Sequence, residues 1–139
     1  MIRRTIILTA TMAALSLLVM AATALAASSK TNVTVSNGTV ALSYDSNIVV
    51  AKDAPNPQFT TSLMNLSNTE LVCGVYLVEA DAWSAYITLE PGQQAPAVIG
   101  WGTGFPSTKQ STIHYRVWCN AVLQVTATSK MTLTDHAGL

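Results

Sequence analysis

The chain has 139 residues, with seven Lys/Arg against seven Asp/Glu and only 10% charged residues. Globular chains average about 25% charged, so the surface must be built largely from Ser, Thr, Asn, Gln and apolar groups. The lack of a basic patch argues against nucleic acid, and low charge weakens the repulsion that keeps molecules apart, which favours self-association or a broad partner.

The first 26 residues read as a targeting segment. Arg3 and Arg4 follow Met1, an uncharged apolar run extends to Met20, and Ala24-Leu25-Ala26 is a small-x-small cleavage signal. This is the three-part layout of a secretory signal peptide. The rival is an uncleaved anchor, since residues 6–27 are long enough to span a bilayer. With cleavage after Ala26, residues 27–139 form a single domain with no membrane span, a secreted, periplasmic or cell-surface location, and five Lys/Arg against seven Asp/Glu. In an exported chain Cys73 and Cys119 most simply form one disulfide. Free thiols or a metal pair are the alternatives, but neither cysteine has a second ligand at C-x-x-C spacing.

Residues 31–36 and 39–44 alternate apolar and polar around Asn37-Gly38. Asn-Gly favours a two-residue type I′ turn, which would set Val35 opposite Val40 and Val33 opposite Leu42. Residues 47–51 read as a short strand, followed by a loop carrying Pro55 and Pro57. Residues 59–66 form a strand of mixed faces. The stretch 71–78 is apolar at nearly every position: Leu71, Cys73, Val75 and Leu77 on one side, Val72, Tyr76 and Val78 on the other, with Gly74 between. Such a strand is covered on both faces or meets a partner on one. Gly74 leaves a gap beside Tyr76 for a neighbouring ring.

Residues 81–84 read as a bend and 86–89 as a strand. Glu90-Pro91-Gly92-Gln93 has the Pro and Gly placement of a type II turn. Residues 97–101 return as a strand, and Pro96 suggests an edge. Residues 102–110 are the longest polar loop. Residues 112–119 alternate, with Ile113, Tyr115, Val117 and Cys119 facing one way. In residues 121–134, Leu123, Val125, Ala127, Met131 and Leu133 share a face, giving either one long terminal strand or two strands joined by a bulge near Ser129-Lys130. No helical periodicity appears after the targeting segment. Short strands separated by frequent turn signals mean an all-β sandwich or barrel.

The order Cys73…Trp83…Cys119 resembles the cysteine–tryptophan–cysteine order of immunoglobulin domains. The run Ile87-Thr88-Leu89-Glu90-Pro91-Gly92 is similar to a strand-and-turn pattern of exported immunoglobulin-like sandwiches. The resemblance implies an all-β, small antiparallel β-sandwich, immunoglobulin-like in general architecture. Val117 stands where the family's tyrosine two residues before the second cysteine would be.

Catalytic machinery is not legible. There is no G-x-S-x-G elbow and no cysteine spare for nucleophilic work. His114 and His136 read as surface histidines. Glu79, Asp81 and Glu90 lie beside turns, where carboxylates are usually solvated. No metal or cofactor is expected, because possible ligands are scattered. Aromatic rings are the remaining lead: Trp83, Tyr86, Trp101, Phe105 and Trp118 are candidate binding residues, the alternative for each being to cap the end of the core. Val72, Tyr76 and Val78 are candidates for a partner-facing strand.

The expected function is therefore a non-catalytic, secreted or cell-surface sandwich acting by contact in a structural, adhesive or self-associating role. Its partner would be protein or polysaccharide at the cell exterior. The long C-terminal strand could add to a neighbour's sheet. The rival readings are a small carbohydrate-binding module or an inhibitor of an extracellular enzyme, either using the loop 102–110.

Overall fold

The computed structural model describes residues 32–102 and 108–134. The expected signal peptide, Phe105 and His136 lie outside the described residues. Ten strands follow in order: β1 (Asn32–Ser36), β2 (Val40–Asp45), β3 (Asn47–Ala51), β4 (Gln58–Asn65), β5 (Leu71–Leu77), β6 (Ala82–Trp83), β7 (Ile87–Leu89), β8 (Gln94–Gly100), β9 (Gln110–Cys119) and β10 (Val122–Thr134). They form two sheets. One has the order β1-β2-β4-β8; the other has β3-β10-β9-β5-β6, with β7 also paired to β5. All pairings are antiparallel except β3 with β10. The expected all-β sandwich is present. Its β2-β4-β8 and β5-β9-β10 groups parallel the A-B-E and C-F-G strand groups of an immunoglobulin sandwich.

Strand alternation explains the core. Val40, Leu42 and Tyr44 from β2, Phe59 and Leu63 from β4, and Ala97 and Ile99 from β8 meet Leu71, Cys73, Val75 and Leu77 from β5 and Ile113, Tyr115 and Val117 from β9. Every second residue of each strand points inward. Between β2 and β3 the chain changes sheets at Ser46, whose carbonyl accepts from Lys130 N–H at 2.8 Å. The buried Ser129 hydroxyl donates to the Asp45 carbonyl at 2.6 Å, so the crossing leaves that oxygen satisfied. A second buried polar residue, Asn65, ties β4 to the loops beyond it. Its Nδ2 donates to the Thr69 and Leu89 carbonyls at 2.7 and 2.9 Å, and its Oδ1 accepts from Ser67 N–H.

Cys73 and Cys119 form the expected disulfide. They stand directly opposite on β5 and β9, neighbours in one sheet. The bridge of an immunoglobulin domain instead joins the two sheets over a buried Trp. Here Trp83 lies on the outside, so the Cys–Trp–Cys order marks the architecture without marking the same contacts. Closing a loop of 46 residues by a disulfide stabilises by roughly 2–4 kcal/mol.

Several local expectations need correction. The first hairpin pairs Val35 with Leu42 and Val33 with Tyr44, two residues away from the expected register. The connection is longer because Asn37 keeps negative φ and uses its side chain: Oδ1 accepts from the N–H of Thr39 and Val40 at 2.9 and 3.0 Å. That Asx turn replaces the type I′ geometry, and the shift of two preserves which residues face inward. The type I′ conformation occurs instead at Asn120-Ala121. These have φ of 50° and 62° and join β9 to β10 through the Cys119–Val122 pair. The Pro91-Gly92 turn is as expected, with Gly92 at φ 77° and Gln93 N–H donating to the Glu90 carbonyl at 2.9 Å. β8 is an edge strand, as Pro96 suggested.

β10 is one strand of 13 residues, with a register shift between Leu123 and Val125 rather than near Ser129. An extra residue reverses the alternation. Leu123 therefore turns outward beside its partner Trp118, while Val125, Ala127, Met131 and Leu133 remain in the core. From Lys130 to Thr134 β10 is paired with β3, and as far as Thr132 it is also paired with β9 on its other side. That half is interior and is not available to complete a neighbour's sheet.

Candidate contact surface

The outer face of β5 has no strand layer over it. The first hairpin belongs to the other sheet, and β10 lies two strands away in the same one. What covers the face comes from the segment just after β5. Val78, just past the strand, is half-buried, its N–H donating to the His114 carbonyl at 3.0 Å. The chain then reverses through Asp81, whose φ is 47° and whose N–H donates to the Val78 carbonyl at 3.1 Å. β6 sets Trp83 opposite Tyr76. The buried Ser84 anchors the next step by exchanging bonds with Val75: its N–H donates to the Val75 carbonyl at 2.8 Å, and its hydroxyl accepts from Val75 N–H at 2.9 Å.

This path carries three of the aromatic candidates together. Tyr76 and Trp83 have ring centroids 4.9 Å apart, Trp83 and Tyr86 5.9 Å, and Trp83 and Trp118 6.5 Å. Gly74 makes it feasible. A Cβ there would lie 3.1 Å from Cδ1 and Cε1 of Tyr86 and 3.5 Å from Cε3 of Trp83. The expected gap beside Tyr76 is thus filled by two rings, which themselves stay open to solvent at 44% for Trp83 and 66% for Tyr86. Trp118, opposite Gly74 on β9, borders the cluster on the other side. Its indole Nε1 is buried without a hydrogen-bond partner among the described residues.

A groove of about 400 Å³ runs beside these rings, lined by Val72, Trp83, Tyr86, Trp118, Asn120 and Ala121. Its far wall is the β9–β10 turn, which is clamped to β5. Asn120 N–H donates to the Val72 carbonyl at 2.9 Å, and Asn120 Oδ1 accepts from Val72 N–H at 3.0 Å. The disulfide lies one residue from each end of that clamp. The groove therefore rests on rigid backbone.

The rim is polar. The Tyr76 hydroxyl donates to Asp81 Oδ1 at 2.6 Å, and this bond, then desolvation, raises the phenol above its ordinary range. Glu79 accepts from His114 N–H at 2.5 Å and contacts His114 Nδ1 at 2.7 Å. Glu70 and Glu90 sit beyond the Leu71–Leu89 pair. The hydrogen bond to Glu70, and then its charge, hold the Glu90 carboxyl above the usual carboxylate range. No group of three or more His, Cys, Asp or Glu suited to a metal occurs among the described residues.

The sequence candidates thus divide. Trp83, Tyr86, Trp118, Val72 and Tyr76 converge on one face, which the sequence had split between two separate sets. Val78 lies at the margin. Trp101 is a correction: it is 1% exposed, packed on Phe59 at 5.9 Å, with its N–H donating to the Pro57 carbonyl at 2.9 Å. A ring sealed in the core offers no face to a ligand. Sequence reasoning missed Leu123, Asn120 and Ala121. Leu123 was hidden by the bulge. Asn120 and Ala121 were hidden because alanine at the second turn position masks a type I′ turn.

The chain matches no protein-family model and no curated protein. Among solved structures it is similar to the YadV chaperone (TM-score 0.49, 12% identity, covering 68% of this chain and 51% of that one). It is also similar to the E. coli chaperone DraB (TM-score 0.49, 15% identity, 70% of this chain and 55% of that one). A likeness to the Vibrio cholerae VesB protease has a TM-score of 0.38 at 18% identity, over 66% of this chain and 31% of that one. The chain spans about half the length of the two chaperones.

Proposed function

We propose that this protein is an exported, non-catalytic β-sandwich that works by contact, through the aromatic face formed by β5, β6, Tyr86 and the β9–β10 turn. One observation carries the reading. Trp83 and Tyr86 are held against a disulfide-tied strand, are largely solvent-exposed, and border an apolar groove. Large aromatic side chains on a rigid support are the residue types that dominate contact energetics. The disulfide fits an oxidising compartment, and no helix among the described residues is long and apolar enough to cross a membrane.

A protein partner suits the groove better than a sugar. Of its six lining residues only Asn120 carries a polar side chain besides the indole and phenol groups, and sugar hydroxyls placed there would lose hydrogen bonds to water without replacement. The test is retention at the producing cell. The double variant Trp83→Ala/Tyr86→Ala changes only exposed rings, so it should fold and be exported like the wild type. The expected result is transfer of the protein from the envelope-bound fraction to the medium. Unchanged retention would count against the reading.

A further inference from the structure

We infer that the groove beside Trp83, Tyr86 and Trp118 receives a lysine side chain presented by an extended basic segment of a protein partner. This rests on the contact function proposed above and names the chemistry of the partner.

The walls of the groove suit the stem of such a side chain. Lysine lays its four carbons along apolar surface while its ammonium stays solvated. The faces of Trp and Tyr attract cations through their quadrupoles. Three such rings border the groove.

The end of the groove suits the head. Leu71 and Leu89 are paired and both point into the core. By strand alternation Glu70 and Glu90 therefore share the outer face with Val72, about 7 Å along the strand from it. Both residues are exposed, and the neighbouring Glu70 side chain raises the Glu90 carboxyl above its usual range. No Lys or Arg pairs with either among the described residues. An ammonium placed between the two carboxylates is attracted to both.

The distribution of charge agrees. Glu70, Glu79, Asp81 and Glu90 surround β5 and its edge strands. Lys52, Lys109 and Lys130 lie at the opposite side of the sheet, around β3, β10 and the start of β9. Arg116 is the one described cation beside the cluster, and it stands opposite Tyr76, whose hydroxyl is bonded to Asp81.

The test is an NMR titration of the exported chain, read at the indole N–H signals of Trp83 and Trp118. The probe is a capped Gly-Lys-Gly-Lys-Gly peptide, compared with the same peptide acetylated on both lysines and with cellohexaose. The unmodified peptide should move both signals saturably. Lysine acetylation and the double variant Glu70→Gln/Glu90→Gln should each weaken binding about tenfold. An unchanged far-UV circular dichroism spectrum and denaturation midpoint of the double variant exclude misfolding as the cause of the loss. Equal binding of the acetylated peptide, unchanged binding by the variant, or no saturable shift at millimolar peptide would overturn the inference. Movement of the same indoles by cellohexaose alone would assign the groove to a glycan and leave the contact function standing. If no probe moves them, the lysine inference fails, and the retention assay decides the contact function separately.

Discussion

Gly74 decides whether the aromatic face exists. Its missing Cβ admits Tyr86 at 3.1 Å and Trp83 at 3.5 Å. In Gly74→Ala the exposed Tyr86 ring can swing outward, and alanine also reduces the entropy of the unfolded chain, so stability should change by less than about 1 kcal/mol. The near-UV circular dichroism of the ring cluster should fall. An unaltered spectrum would show that the rings do not depend on this gap. Tyr115 gives a different signal. Its burial pushes the hydroxyl well above the ordinary tyrosine range. The folded state then keeps a proton that the unfolded state releases. Stability is fully present below pH 10 and is lost as pH rises past it, by about 1.4 kcal/mol per unit. Tyr115→Phe should flatten that alkaline slope in a denaturation series, and an identical slope would contradict the assignment. At this scale the sequence was a good guide where alternation governs: the inward set of β5 and β9 is visible in residue spacing alone. It was a poor guide for Trp101, because spacing alone places it at a strand end beside a loop, while the ring is drawn inward by Phe59 and the backbone tie to Pro57.

Among the elements, the β9–β10 turn is both strained and functional in this account. Ala121 sits at φ 62°, a conformation that costs a non-glycine residue roughly 1–2 kcal/mol. Ala121→Gly should therefore stabilise the protein by about 1 kcal/mol, seen as a higher denaturation midpoint. A lower midpoint would mean that the alanine methyl contributes more to the groove wall than its backbone costs. The two turns also show where reading a sequence stops. Asn-Gly carries the strongest short hairpin signal, yet Asn37 spends its side chain on an Asx turn and on Gln124, whose Oε1 accepts from its Nδ2 at 2.9 Å. Asn-Ala carries a weak signal, yet the fixed pairing of Cys119 with Val122 forces two residues into left-handed geometry. In each case long-range contacts override local preference. The bulge at Gln124 has the same character. Nothing in residues 121–134 marks it locally; Gln124 is held there by Asn37, whose Nδ2 donates to its backbone carbonyl and to its Oε1.

The whole molecule has two unlike outer surfaces. The outer face of the β1-β2-β4-β8 sheet is mostly small and polar, with Thr34, Ser43, Ser62 and Gln94 bonded to one another in pairs and Met64 and Val98 exposed singly. The other sheet carries aromatic rings and carboxylates around β5 and lysines at its far side. The fold class was legible because turn signals and alternation are local. The site was legible only as scattered rings, because its assembly depends on the return of the chain after β5 and on the clamp between Asn120 and Val72. The most direct test of the contact surface places a photo-crosslinking amino acid at position 86, and separately at position 64 on the opposite sheet, in the protein as expressed in its own cell. Adducts are expected from position 86 and none from position 64; adducts from position 64 alone would contradict the assignment of the contact surface.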